Sequence, residues 1–359
     1  MVPESPEGTR GTRMTPTLEE PAPLGDPPVS VCIPTWNRAG MVGDAIRSAL
    51  AQTYRNLEVL VVDNASTDDT AAVVSSFNDP RLRYVRNDRN LGLFGNCNRC
   101  IELAQGEYLH ILHSDDTIPP EFTATCVRFL EEHHEVAFTF TGAEVEALGT
   151  VLPLDYAQKT EIYPEPEGFR RILRDRNVVV CPSVVARREV FLSHGGFSLE
   201  YPYASDLALW LQISRSHAVA FLHGTRIRYR QGPHSESHRL LFASARGYLD
   251  MLRIYLAVGE DLGPEREQFA GEMNAALERF AGDCLYAAWS RGEEMQRVPP
   301  SFLASVGRAA LTLAAGGPLS SRFHRLGLRA MLFLLPMAYR VPGLRRFASP
   351  LRPNQKSLY

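Results

Sequence analysis

The sequence predicts an α/β fold: a mainly parallel, twisted sheet flanked by helices, with a helical C-terminal extension. Three observations predict it. Short apolar runs alternate with stretches of helical periodicity from Val29 to His133. The runs are mostly apolar rather than strictly alternating, as in strands covered on both faces. Polar clusters follow the first, second and fourth runs, on the edge where right-handed crossovers gather the strand ends and where such sheets bind ligands.

The elements follow in order. Val29-Ser30-Val31-Cys32-Ile33, ended by Pro34, reads as a buried strand, and Met41–Gln52 carries Val42, Ala45, Ile46, Ala49 and Leu50 at helical spacing. Val59–Val62 is a second strand, and Thr67 with two aspartates behind it opens a helix. Leu82–Val85 is a third strand with a helix near Leu93–Ala104; Tyr108–Leu112 is a fourth, and Pro119-Pro120 starts a helix ending near His133. The pattern then mixes. Strands are expected at Val136–Thr141, Pro182–Ala186, Ala218–Leu222 and Ile227–Arg230, and a helix at Ser205–Ser214 through Leu207, Leu209, Trp210 and Ile213. From about Ser237 the chain reads as helix, broken at Gly263-Pro264, Pro299-Pro300, Gly316-Gly317-Pro318 and Pro342. The organisation is therefore a disordered, Pro-, Glu- and Gly-rich lead-in over 1–27, a catalytic domain over 28–240 and a helical region over 241–359.

Composition is that of a globular protein: 359 residues, 45% hydrophobic and 22% charged. The net charge of −3 conceals an asymmetry, because residues 295–359 hold ten basic side chains and no acidic one, leaving −13 for the rest. Within that tail, Phe323–Phe347 mixes leucines and methionines with arginines, and its uncharged stretch Ala330–Tyr339 is too short to span a bilayer. It reads either as an amphipathic helix lying on an anionic membrane or as a helix packed on the acidic body. The acidic body and the few aromatics of the tail argue against nucleic acid as a partner. Six scattered cysteines read as buried small hydrophobes, and Cys97 and Cys100 lack a second pair to complete a zinc site. No signal peptide opens the chain, so the cytoplasm is expected, with the tail on the inner face of the membrane.

The polar clusters carry the chemistry. Thr35-Trp36-Asn37-Arg38, Asp63-Asn64-Ala65-Ser66 and Ser114-Asp115-Asp116 fall together on the binding edge. Asp115-Asp116 offers hard oxygen ligands for a divalent cation; the alternative is a helix N-terminal cap. Two stretches decide the context. Val29–Asp69 reads VSVCIPTWNRAGMVGDAIRSALAQTYRNLEVLVVDNASTDD, and Arg89–Pro120 reads RNLGLFGNCNRCIELAQGEYLHILHSDDTIPP.

Together these resemble the nucleotide-binding half of the family 2 inverting glycosyltransferases, whose GT-A-type fold is that of nucleotide-diphospho-sugar transferases; the resemblance covers roughly residues 28–240. It implies transfer of a sugar from a nucleoside diphosphate to a hydroxyl of a glycan, a lipid-linked or a small-molecule acceptor, in surface polysaccharide or glycoconjugate assembly. Pro34 and Thr35 would lead to Trp36, whose ring would stack on the base. Asp63 would accept a hydrogen bond from the base, favouring UDP- or dTDP-linked donors. Arg38, Asn90, Gly92, Arg99 and Ser114 would line the nucleotide and its phosphates. Asp115 would face the ribose and Asp116 would hold Mg²⁺ or Mn²⁺. Ala204–Trp210 resembles the segment of the catalytic base, here Asp206, and the loop after Tyr229 would close on the diphosphate through Arg230 and His234, the latter a further metal ligand. Two departures stand out: His113 where many relatives carry Asp, and Ser205 where they carry Glu. They keep open a non-catalytic nucleotide-sugar-binding or scaffold protein. A nucleotidyltransferase would need a Gly-rich phosphate loop with a basic residue early in the chain, and Pro34–Gly40 matches it poorly.

Overall fold

The computed structural model describes residues 26–280 except 148, 176–177, 233–234, 236–245 and 278–279. Most of the lead-in, His234 and the basic tail lie outside the described residues.

Strands β1 (Val29–Thr35), β2 (Leu57–Asp63), β3 (Leu82–Arg86) and β4 (Tyr108–Ile111) pair in parallel in the order β3-β2-β1-β4. Helices α1 (Val42–Leu50), α2 (Thr70–Ser75) and α3 (Leu93–Leu103) make the crossovers. The apolar runs are buried because each strand feeds two cores. Val31, Ile33, Val59 and Val61 pack with Ala45 and Ile46 of α1 on one face. Cys32, Leu60 and Val62 pack with Phe94, Cys97 and Ile101 of α3 on the other. Each fully buried aliphatic side chain of this kind stabilises the fold by about 1.5–3 kcal/mol relative to exposure.

Beyond α4 (Phe122–Glu132) the sheet becomes mixed, as the change of pattern after Val136 suggests. Strand β5 (Val136–Ala147) forms a hairpin with β6 (Thr150–Leu154). After β7 (Glu161–Tyr163) and α5 (Glu167–Asp175), a 3-10 turn at Cys181–Ser183 delivers β8 (Val185–Arg187) antiparallel between β4 and β5. This strand runs against both neighbours. Helices α6 (Arg188–Ser193) and α7 (Ser205–Ser214) follow, then β9 (Ala218–Gln231), parallel to β5. The two strands expected at Ala218–Leu222 and Ile227–Arg230 are one strand with an irregular register. Thr141 pairs with Leu222 but Gly142 pairs with Arg226, and His223–Thr225 bulge out.

Helix α8 (Arg246–Asp261) is followed by a 3-10 helix at Gly263–Phe269. Met251, Leu252, Ile254 and Tyr255 of α8 lie in the same core as Leu207 and Trp210 of α7. The expected division at residue 240 is therefore not a boundary between separate cores.

Candidate active site

The C-terminal ends of β1 and β2 are laced to one another. The Asn37 amide donates to Ser66 Oγ at 2.9 Å, and Asn37 Oδ1 accepts the Thr67 amide at 2.8 Å. The Arg38 and Ala39 amides donate to Thr70 Oγ1 and Asp68 Oδ2, both at 3.0 Å. Asn37 (φ 52°) and Ala65 (φ 61°) both hold left-handed backbone conformations, which cost side-chain-bearing residues about 1–3 kcal/mol. Strain of this kind persists where surrounding contacts over-determine it, and both residues sit on the binding edge. Trp36 projects from this lacing 38% exposed, a large apolar ring on an otherwise polar rim. Pro34 and Thr35 lie beneath it, buried within β1, so they form the floor rather than a solvent-facing surface; the buried Thr35 Oγ1 has no hydrogen-bond partner.

Asp63 stands at the end of β2 as the sequence places it, but it has no exposed surface. Its Oδ1 accepts the Ser66 amide at 2.9 Å and its Oδ2 the Tyr84 hydroxyl at 2.6 Å, with Arg86 Nε 3.6 Å away. Burial, then the bond to Asp63, pushes the Tyr84 hydroxyl upward, so it stays a donor. Here the Asp63 carboxylate holds the turn that follows it.

A chain of asparagines pins the next loop, and sequence reasoning passed over most of it. Asn64 is buried; its Nδ2 donates to Asn90 Oδ1 at 2.8 Å and to the Gly92 carbonyl at 3.1 Å. Its Oδ1 accepts the Leu91 amide at 2.8 Å and Asn87 Nδ2 at 3.2 Å. Asn87 also donates to Asn96 Oδ1, and Asn96 to the Val62 carbonyl, both at 2.8 Å. Gly92 takes φ 79° here and starts α3, a conformation that side-chain-bearing residues rarely adopt. Asn90 and Gly92 are thus held at the edge. Arg99 is not brought to it: its guanidinium pairs at 2.7 Å with Glu102, one turn further along α3 and away from the strand ends.

The loop after β4 carries the acidic centre. Ser114 is buried, Asp115 half-buried and Asp116 fully buried. Asp116 Oδ1 accepts the Arg230 amide at 2.8 Å, because Thr117 and Arg228 bridge in antiparallel fashion and bring β9 alongside. Asp116 Oδ2 is buried without a hydrogen-bond partner, with His113 Nδ1 3.8 Å away. Burial, and then the charge of Asp115, push the Asp116 carboxyl well above the usual range, while Arg230 pulls it back. Ligand atoms of His113, Asp115 and Asp116 all lie within 4.8 Å of one another. An orphaned carboxylate oxygen beside a second carboxylate and an imidazole is a donor set that fits one divalent cation. Arg230 differs from expectation: its guanidinium turns to Asp44 of α1 at 3.0 Å, with Glu146 at 3.9 Å, and its backbone is what meets Asp116.

Asp206 lies in the first turn of α7 and is almost buried. Burial raises the Cys181 thiol, with the charges of Asp206, then Cys97 and Asp116, adding to it. The turn carrying Cys181 is fixed from behind by His110, whose Nε2 meets the Pro182 carbonyl at 2.8 Å. Trp36, Asn90, Gly92, Ser114, Asp115 and Asp116 thus lie in the loops that follow the parallel strands.

The comparisons with known proteins agree with this geometry. The family described as "Glycosyl transferase family 2" matches residues 30–195. A Mycobacterium tuberculosis (strain CDC 1551 / Oshkosh) protein, MT1568, is 31% identical over 247 residues, covering 64% of this chain and 74% of that one. The Escherichia coli protein named UDP-Glc:alpha-D-GlcNAc-diphosphoundecaprenol beta-1,3-glucosyltransferase WfaP is 28% identical over 188 residues, 52% of this chain and 69% of its own. Among solved structures, S. aureus TarS 1-349 in complex with UDP-GlcNAc superposes with a TM-score of 0.62 at 19% identity. That match covers 87% of this chain and 91% of the other, and it is a likeness of fold.

Proposed function

This chain belongs to glycosyl transferase family 2, and from that premise we propose an inverting transfer of a sugar from UDP or dTDP to an acceptor hydroxyl in cell-surface polysaccharide or glycoconjugate assembly. The fold is of the GT-A type, and the protein is a glycosyltransferase. The observation that carries the finer reading is the buried, unpartnered Asp116 Oδ2, whose carboxylate lies with ligand atoms of His113 and Asp115 within 4.8 Å of one another at the edge where the donor loops converge.

In this reading Trp36 stacks on the base, and Asp63 shapes the base pocket by holding the turn after β2. The edge at Asn90 and Gly92 lines the diphosphate, with Ser114 beside it and Asp115 at the ribose. Asp206 takes the proton of the acceptor hydroxyl as the oxygen attacks the anomeric carbon from the face opposite the diphosphate. The new C–O bond forms as the bond to the diphosphate oxygen breaks, which inverts the anomeric centre. A bound Mg²⁺ or Mn²⁺ supplies positive charge against the departing diphosphate. Asp116 would hold it, with the imidazole of His113 close enough to join. His234, outside the described residues, would be a further ligand.

The choice of UDP is supported by the donor in the name of WfaP and by the UDP-GlcNAc bound to TarS. The WfaP name also prints a diphosphoundecaprenol acceptor, which supports a lipid-linked acceptor here. Among the described residues no helix is long and apolar enough to cross a membrane. We assign membrane contact to the basic tail: removing residues 320–359 should release the protein from vesicles containing anionic lipid, and unchanged sedimentation with them sinks that assignment.

The test of the donor site is calorimetric titration of UDP, dTDP, GDP and CDP, with Mn²⁺ and with EDTA. UDP or dTDP should bind only with metal. Binding should vanish in Asp116→Ala and weaken about 10-fold or more in Trp36→Ala, the loss of one base–aromatic stack. Absence of binding by every nucleotide with metal present would overturn the reading in favour of a non-catalytic protein.

A further inference from the structure

Helix α7 begins without a side-chain cap of its own, and the turn that feeds it, Glu200–Ala204, is gripped from one face of α8. Three residues of α8 at successive helical spacing make the grip. Gly247 lies so close under the Tyr203 ring that an added Cβ would stand 2.5 Å from Tyr203 Cδ1. Asp250, almost buried, accepts the Tyr203 amide on Oδ2 at 2.7 Å and also takes a hydrogen bond from the Ala204 amide. Arg253 donates to the Glu200 carbonyl at 3.2 Å, and its guanidinium lies 5.6 Å from the Tyr201 ring centroid.

The two residues after Ala204 are Ser205 and Asp206. Ser205 is buried and its Oγ has no hydrogen-bond partner, so it contributes no anchor of its own. Helix α7 has a rigid packed body, with Leu207, Leu209, Trp210 and Ile213 buried. The freedom left to its first turn is therefore set by the entry turn, and that turn is held by a carboxylate more than forty residues away.

We propose that Asp250 is a positioning residue for Asp206: by holding the Tyr203 and Ala204 amides it fixes the entry into α7, and so fixes where the Asp206 carboxylate meets the acceptor oxygen. The proposal rests on the reading of Asp206 as the base. It gives α8 a role in the reaction, although no residue of α8 reaches the donor loops in the contacts described above.

The experiment uses the full chain with Mn²⁺ and UDP-glucose (or dTDP-glucose, if that nucleotide is the one that binds), following nucleotide release with water as acceptor. Asp250→Ala should lower kcat about a hundredfold, as expected of a small misplacement of a reacting group, while the KM for the donor and the Kd for the nucleotide stay put. Asp250→Asn keeps an acceptor oxygen for the turn and should restore most of the rate. In an Asp206→Asn background, Asp250→Ala should cost nothing further, because the two act as one unit. Wild-type kcat in Asp250→Ala, or an undiminished extra loss in the Asp206→Asn background, overturns the proposal alone. Near-normal turnover in Asp206→Asn itself overturns the base reading instead, and the proposal with it. Should Asp250→Ala fail to fold by thermal unfolding, Gly247→Ala displaces the Tyr203 ring independently; it should lower kcat with donor binding intact, and a normal kcat there overturns the proposal equally.

Discussion

The donor side and the acceptor side of this site are built differently. From β1 to the start of α3, contacts run between neighbouring strand ends. Asn37 meets Ser66 and Thr67, Asn64 meets Asn87 and Asn90, and each of these partners lies within about thirty residues. Around the acidic centre and the entry to α7 the contacts span the chain: Arg230 reaches Asp116 across 114 residues, and Asp250 reaches Tyr203 across 47. In the proposed reading, local lacing would preform the nucleotide cradle out of consecutive βα units, and long-range clamps would set the wall that carries Asp206. Binding and turnover should therefore separate under mutation.

The sharpest separation is at Asp206. Asp206→Asn removes the proposed base but keeps size and a hydrogen-bond acceptor. It should cut turnover by about a thousandfold, within the range for a lost general base, while metal-dependent nucleotide affinity is unchanged. The measurement is the rate of sugar transfer or donor hydrolysis beside calorimetric Kd for UDP. An Asp206→Asn protein that bound UDP tenfold more weakly would break the comparison, because the two sides would then be one energetic unit.

The same difference explains what could be read in the sequence. The parallel half was legible because each of its strands is an apolar run and each of its loops carries its polar cluster next to the strand that displays it. Asp115 and Asp116 stand out as a pair beside their strand, but their expected role, like that of Trp36, comes from the resemblance of the surrounding stretches. Asp63 was found, but not its burial, because Tyr84 faces it from the next strand and a hydroxyl in the middle of an apolar run gives no sign of its partner. The asparagine chain was missed for a related reason: Asn87 and Asn96 look like ordinary loop and helix polar residues until β2 brings Asn64 between them. In the second half, α5 was legible in principle, since Phe169, Ile172 and Leu173 sit at helical spacing and are buried. Strand β8 was foreseen within Pro182–Ala186, but not its direction, because a three-residue strand carries no sign of running antiparallel to both neighbours. Asp250 was invisible: one acid on a helix reads as a solvated face, and only the packing of α8 on Tyr203 shows otherwise.

The seam between the two sides offers a smaller effect, read as stability rather than rate. His110 belongs to β4 on the donor side and donates from Nε2 to the Pro182 carbonyl on the acceptor side, while its Nδ1 is buried without a hydrogen-bond partner. Burial lowers its pKa to about 4, against the pull of the bond to Pro182, with the nearby His113 adding to the depression. A histidine depressed in the folded state has a definite linkage sign. Between about pH 6.5 and about pH 4 the unfolded chain takes up a proton that the folded chain refuses, so stability falls as pH falls through that window. The full effect is on the order of 3 kcal/mol. His110→Gln keeps an N–H for Pro182 and cannot titrate. Urea unfolding at pH 7 and at pH 4.5 should therefore show the wild-type protein losing about 2–3 kcal/mol more than the variant. Parallel losses in the two proteins would mean that His110 becomes charged in the folded state, and that the seam is open to water or to a compensating acid.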